Sequence, residues 1–136
     1  MVNKLLVGKV DDNFNWLPLW VHLQDTAGVM KLLLENWIAD ATVESCGMQF
    51  ENFYAIAEFV AATHDIGKAT SYFQAIICKK VPILYDNIVS SGLIVCENML
   101  HRGKTPHSYA GQWILQSDTV LSLIHISEPT RLRRIS

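Results

Sequence analysis

From Leu17 to Ile38 the apolar positions fall at Leu19, Leu23, Val29, Met30, Leu33, Leu34 and Trp37. Their recurring separations of three, four and seven lay them along one face of a helix. Pro18 suits its first turn, where a missing N–H costs nothing. Between Phe50 and Asp65 the pattern returns with Phe53, Ile56, Ala57, Val60 and Ala61. There the run Phe59–Ala62 is expected to be buried, and Gly67 acts as a stop signal. A third helix begins in "YFQAIIC", with Thr70 or Ser71 as its cap. "YDNIVSSGLIVCENMLH" reads as helical in its second half, weakened at its centre by Ser90, Ser91 and Gly92. Pro106 opens a last helix, "PHSYAGQWILQ". Loops are expected near 39–49, 79–84 and 101–105. No segment alternates with period two for long enough to argue a sheet. The pattern predicts a single all-α domain without internal repeats.

A length of 136 residues is enough for a real hydrophobic core, and 50% hydrophobic with 18% charged residues is a globular composition. The net charge of -2 gives no electrostatic footprint for wrapping a duplex, although a local basic groove is compatible with it. Uncharged stretches such as Asn13–Gln24 fall short of the roughly 20 apolar residues of a membrane span, and no signal peptide opens the chain. Cys46, Cys78 and Cys96 form no CxxC pair. They are expected as free, buried thiols filling a core in a reducing cytoplasm.

The segment from Leu121 to Ser136, "LSLIHISEPTRLRRIS", stands apart. Its first part resembles the translation of a transposase sequencing adapter. Residues 121–136 are therefore expected to be a non-native tail and 1–120 the native part, the N-terminal portion of a longer domain.

Candidate chemistry gathers in "HDIGK". His64 and Asp65 follow an apolar helix directly, and His22 and His107 lie 42 and 43 residues to either side. These ligands would come from different helices. A carboxylate bridges two cations while imidazoles fill terminal positions. Such a two-metal site clamps the attacking and leaving oxygens of a phosphodiester and lowers the pKa of bound water. Gly67 is expected to let the chain turn sharply beneath the site. Lys68 is expected to offer a cation to a phosphate oxygen or leaving group. Each signal is weak alone, since helical histidines are usually structural.

"HDIGK" resembles the signature of the HD superfamily of metal-dependent phosphohydrolases, which are all-helical. "WLPLWVHLQDTAGVMKLLLENWI", "FVAATHDIGKATSYFQ" and "PHSYAGQWIL" resemble the HD nuclease domain of the type I CRISPR-associated helicase-nuclease. The resemblance covers Trp16 to Leu115. It implies a helical-bundle nuclease that degrades single-stranded DNA with two divalent transition metals, manganese, iron, cobalt or nickel. It further implies a helicase domain in the same parent chain and recruitment by a guide-RNA surveillance complex. By motif matching, His22 and His64 would ligate one metal, Asp65 would bridge both and His107 would ligate the second. Asp65 and Lys68 would be the catalytic pair. Asp25 and Thr26 match the family pattern, with Asp25 placed to orient His22. His101 competes with His107, which is preferred because Pro106 sets it at a helix start.

The family also expects a later histidine pair and a distal aspartate, which would lie where the adapter-like tail stands; His125, within that tail, is no substitute. The chain is accordingly expected to be an inactive or weakly active fragment with apolar faces left uncovered. Two alternatives need less of the pattern. One is a phosphohydrolase acting on nucleotides or cyclic dinucleotides; the other is a helical interaction module with structural histidines.

Overall fold

The computed structural model describes residues 5–38, 40–95 and 106–117. It is a helical domain with one small sheet. Strand β1 (Val7–Val10) pairs antiparallel with β2 (Trp16–Pro18). Then follow α1 (Leu19–Asn36), α2 (Asp40–Ser45), α3 (Phe50–Thr63) and a 3₁₀ turn (Ile66–Ala69). Helix α4 (Ser71–Lys80), a second 3₁₀ turn (Pro82–Leu84), α5 (Tyr85–Ser90) and α6 (His107–Leu115) complete the order. Helix α1 packs chiefly on α3, and α6 on the first 3₁₀ turn.

The all-α expectation holds in its helices, and the hairpin is the addition. It escapes periodicity because its strands are only 4 and 3 residues long. The register pairs Val7 with Pro18 and Lys9 with Leu17, so Gly8 stands at a bulge. Leu6 also accepts a 2.7 Å hydrogen bond from the Leu19 amide, satisfying one orphan donor at the start of α1. Pro18 is thus the residue before the helix, not part of its first turn.

Other boundaries shift for local reasons. The expected 39–49 loop contains the short α2. The expected 79–84 loop holds the end of α4 and the second 3₁₀ turn, with Pro82 at its start. Helix α5 occupies the first half of "YDNIVSSGLIVCENMLH", where Gly92 takes a left-handed φ of 89° and the chain turns. Its second half from residue 96, with Cys96 and His101, lies outside the described residues, as does 121–136. Thr70 is the cap of α4, accepting from the Phe73 amide at 3.5 Å.

The principal core lies between β1, α4 and α5, formed by Val7, Ile77, Cys78, Val81, Leu84 and Ile88. Cys78 meets the expectation of a buried thiol, and burial raises its pKa. Cys46 does not; it is exposed beyond α2. The helix faces are also less covered than their periodicity suggests. On α1 Leu19 and Leu34 are buried while Val29 and Leu33 are exposed, as is Trp37 just past its end. On α3 Ala61 is buried, but Phe59 and Val60 are 44% and 55% exposed, against the expected burial of that run. No helix among the described residues is long and apolar enough to cross a membrane.

Candidate metal centre

Helix α3 ends at Thr63, and His64 still holds helical dihedrals. Asp65 then leaves them (φ -112°, ψ 16°), and the chain drops into the 3₁₀ turn. This break brings both adjacent side chains to one point, with Asp65 buried and His64 partly exposed at the rim. Opposite them, α1 presents His22 from its second turn and α6 presents His107 as its first residue. Pro106 immediately precedes that helix, with φ already near -57°.

Asp65 is the hub and is only 9% exposed. Its Oδ2 lies 2.8 Å from His22 Nε2, 3.1 Å from His64 Nε2 and 2.7 Å from Lys68 Nζ. Its Oδ1 lies 3.1 Å from His107 Nε2. Burial pushes the carboxyl pKa up, but hydrogen bonds from Lys68 and His22 and the charges of Lys68 and His64 outweigh it. The result is a pKa lowered to about 2, so Asp65 is a carboxylate at neutral pH.

The donor set fits a cation. His22, His64 and Asp65 each offer one ligand atom, all within 4.8 Å of one another. That is close to the span of about 4 Å subtended by two ligands on opposite sides of one transition-metal ion. The tautomer of His64 adds a second argument. Its Nδ1 lies 2.8 Å from the Ala61 carbonyl, which only accepts, so Nδ1 carries the hydrogen. In the neutral ring Nε2 then turns a lone pair toward a carboxylate oxygen. A cation between the two makes that contact favourable.

Of the sequence candidates, the fold gathers His22, His64, Asp65, Lys68 and His107. Asp25 is exposed and makes no hydrogen bond to His22. Thr26 instead donates to the His22 carbonyl oxygen at 2.9 Å, bracing the helix backbone at that residue. Lys68 is 13% exposed at its side chain and engaged by Asp65, with its ammonium 5.7 Å from the Phe73 ring centre. The Phe73 ring also stands edge-on to His107.

Gly67 serves a different purpose from the expected sharp turn. Among the described glycines only Gly47 and Gly92 have positive φ. A Cβ on Gly67 would sit 1.8 Å from the His107 carbonyl oxygen and 2.4 Å from the Gly111 nitrogen. Two glycines therefore let the 3₁₀ turn and α6 meet backbone to backbone. Gly111 was not among the sequence candidates, although small residues at a helix crossing are the signal for such an approach. Gln74 was also missed. It is fully buried, and its amide bonds the backbone of Val7 and Lys68.

Comparison with known proteins agrees with this geometry. Residues 8–133 match the family described as "Cas3, HD domain". The matched span runs into the tail set apart on sequence grounds. A CRISPR-associated nuclease/helicase Cas3 of Streptococcus thermophilus is 31% identical, over 74% of this chain and 12% of its own length. The chain thus spans about an eighth of that relative. No solved structure matches. With the family pattern spread over nearly its whole length and its histidines and aspartate meeting in space, the chain belongs to the Cas3 HD-domain family.

Proposed function

We propose that this chain carries the nuclease centre of a CRISPR-associated helicase-nuclease, hydrolysing phosphodiesters of single-stranded DNA with two divalent transition metals. The observation that supports it most is the division of labour at Asp65. One carboxylate oxygen faces His22 and His64 and the other faces His107, so a single side chain addresses two ligand groups. On this reading His22, His64 and Asp65 hold one ion, and Asp65 and His107 the second. Bound ions of this kind supply Lewis acidity to the phosphoryl oxygen and bring the pKa of water toward neutrality. Manganese, iron, cobalt and nickel all suit imidazole and carboxylate ligands.

The chain's own residues prepare that chemistry. The Ala61 carbonyl fixes the His64 ring so that Nε2 points at the site. Lys68 supplies a largely enclosed ammonium beside the carboxylate, a cation suited to a phosphate oxygen of a bound strand. The partners implied are a single DNA strand, a helicase domain in the same protein and a guide-RNA complex that delivers the strand in the cytoplasm. Four protein ligands for two ions is a sparse set, which supports weak metal binding and slow turnover by this chain alone.

The test is cleavage of labelled single-stranded DNA, duplex DNA and nucleotides by the full chain with manganese, cobalt or nickel. Slow, metal-dependent cutting of single strands is expected, stopped by chelation and by Asp65→Asn. Hydrolysis of nucleotides with no cutting of DNA would move the protein to the nucleotide phosphohydrolases. Metal-independent behaviour, unchanged by Asp65→Asn, would leave the histidines structural.

A further inference from the structure

We propose that β1 is the strut that sets the metal centre, with Gln74 and Gly8 as its positioning residues. The proposal rests on the metal-binding reading above and adds what holds the ligands at their separation. Val7 is fully buried and pairs in the hairpin with Pro18, which has no N–H to give. Its backbone is satisfied from the other side by a side chain. The Val7 amide donates to Gln74 Oε1 at 3.1 Å, and Gln74 Nε2 donates to the Val7 carbonyl at 2.9 Å. The second Nε2 hydrogen goes to the Lys68 carbonyl at 2.8 Å. One buried amide therefore uses both donors and its acceptor to tie β1 to the turn that carries Lys68 and follows Asp65. A glutamine is required. Asparagine is a methylene shorter, and a carboxylate would face two carbonyl oxygens with no hydrogen to offer.

The next residue along the strand reaches the other half of the site. A Cβ on Gly8 would lie 2.9 Å from Leu19 Cα and 3.0 Å from His22 Cβ. So β1 passes directly against α1 at the His22 turn, at a distance only glycine permits. Through Val7 the strand holds the Asp65–Lys68 side, and through Gly8 it backs the His22 side. The 2.8 Å approach of His22 Nε2 to Asp65 Oδ2 is set between these two contacts.

Cobalt(II) titration of the full chain, followed by visible d–d absorption, tests this, with thermal melting of the metal-free protein alongside. Gln74→Glu keeps the shape and removes both donors, Gln74→Leu removes all three bonds, and Gly8→Ala crowds His22 without touching a hydrogen bond. Leu34→Ala, about 18 Å along α1 from His22, serves as a stability control. The Gln74 and Gly8 variants are expected to bind cobalt about 10–100-fold more weakly and with a changed band envelope. Leu34→Ala should melt lower yet titrate like the wild type. If the Gln74 and Gly8 variants melt lower but keep wild-type affinity and spectrum, they only hold the fold and the proposal fails. Should the Gln74 variants not fold, wild-type cobalt binding by a helical Gly8→Ala protein alone overturns it. A wild-type chain that takes up no cobalt overturns the metal reading, and this proposal with it.

Discussion

At Gly67 the tolerance of the site can be measured with one methyl group. A Cβ there would stand 1.8 Å from the His107 carbonyl oxygen, and the obstacle is backbone, which has no rotamer to change. Gly67→Ala should drive α6 back by about 1–2 Å to recover normal contact, at a cost of about 1–3 kcal/mol. His107 would leave Asp65 Oδ1 while His22 and His64 stay in place. Loss of activity of about 100-fold is expected, since displacements near 1 Å suffice for that. Metal titration should still show the His22–His64–Asp65 position, and loss of both positions together would contradict this placement. The same residue shows what the sequence makes legible. His22, His64, Asp65, Lys68 and His107 were readable because their chemistry and motif spacing are carried by residue identity. The close crossing of Gly67 on Gly111 was not, because a glycine announces freedom of φ and of approach alike. Nor was Gln74, since a polar residue in an amphipathic helix reads as a solvated face until the strand it bonds is in place.

Helix ends decide how the elements join. The Leu34 carbonyl lies in the last turn of α1, where its natural partner four residues on, the Ile38 amide, donates to Leu33 instead. Tyr54 of α3 fills the gap by donating its hydroxyl to Leu34. Tyr54→Phe should therefore lower unfolding free energy by about 1 kcal/mol, read from urea denaturation. Metal affinity should not change, because the bond lies at the opposite end of α1 from His22. A parallel loss of affinity would mean that the α1–α3 contact is transmitted to the site. Long helices were legible from periodicity, and α1, α3, α4 and α6 stand close to their expected bounds. The hairpin, α2 and α5 were not. Each is 6 residues or shorter, less than two turns or a few strand positions, so tertiary contacts and not pattern define it.

Across the described residues burial is uneven: it is deepest around Val7 and Ile88, while the charged hub Asp65, itself buried, lies among partly exposed histidines. Trp37, just past α1, is 84% exposed and Val29 on α1 is 56% exposed, so periodicity located an apolar face without indicating what covers it. Cys46 should accordingly react quickly with a thiol reagent while Cys78 is protected until unfolding, as peptide mass mapping of the labelled chain would show. The acid limb of stability follows from Asp65. Its folded pKa of about 2 lies below its ordinary value of 3.8, so the unfolded chain takes up the proton first as pH falls. The stabilisation is complete above the unfolded value and is lost as pH drops through the folded one. From that difference it amounts to about 2 kcal/mol in the metal-free protein. Denaturation of the metal-free chain between pH 5 and pH 2, values of about this range being set by the two pKa values, should show a fall of that size. Asp65→Asn removes the titrating group and should flatten this part of the profile while lowering stability above it. An unchanged acid limb in Asp65→Asn would mean that Lys68 and the imidazoles do not favour the carboxylate in solution, and the hub would lose its electrostatic basis.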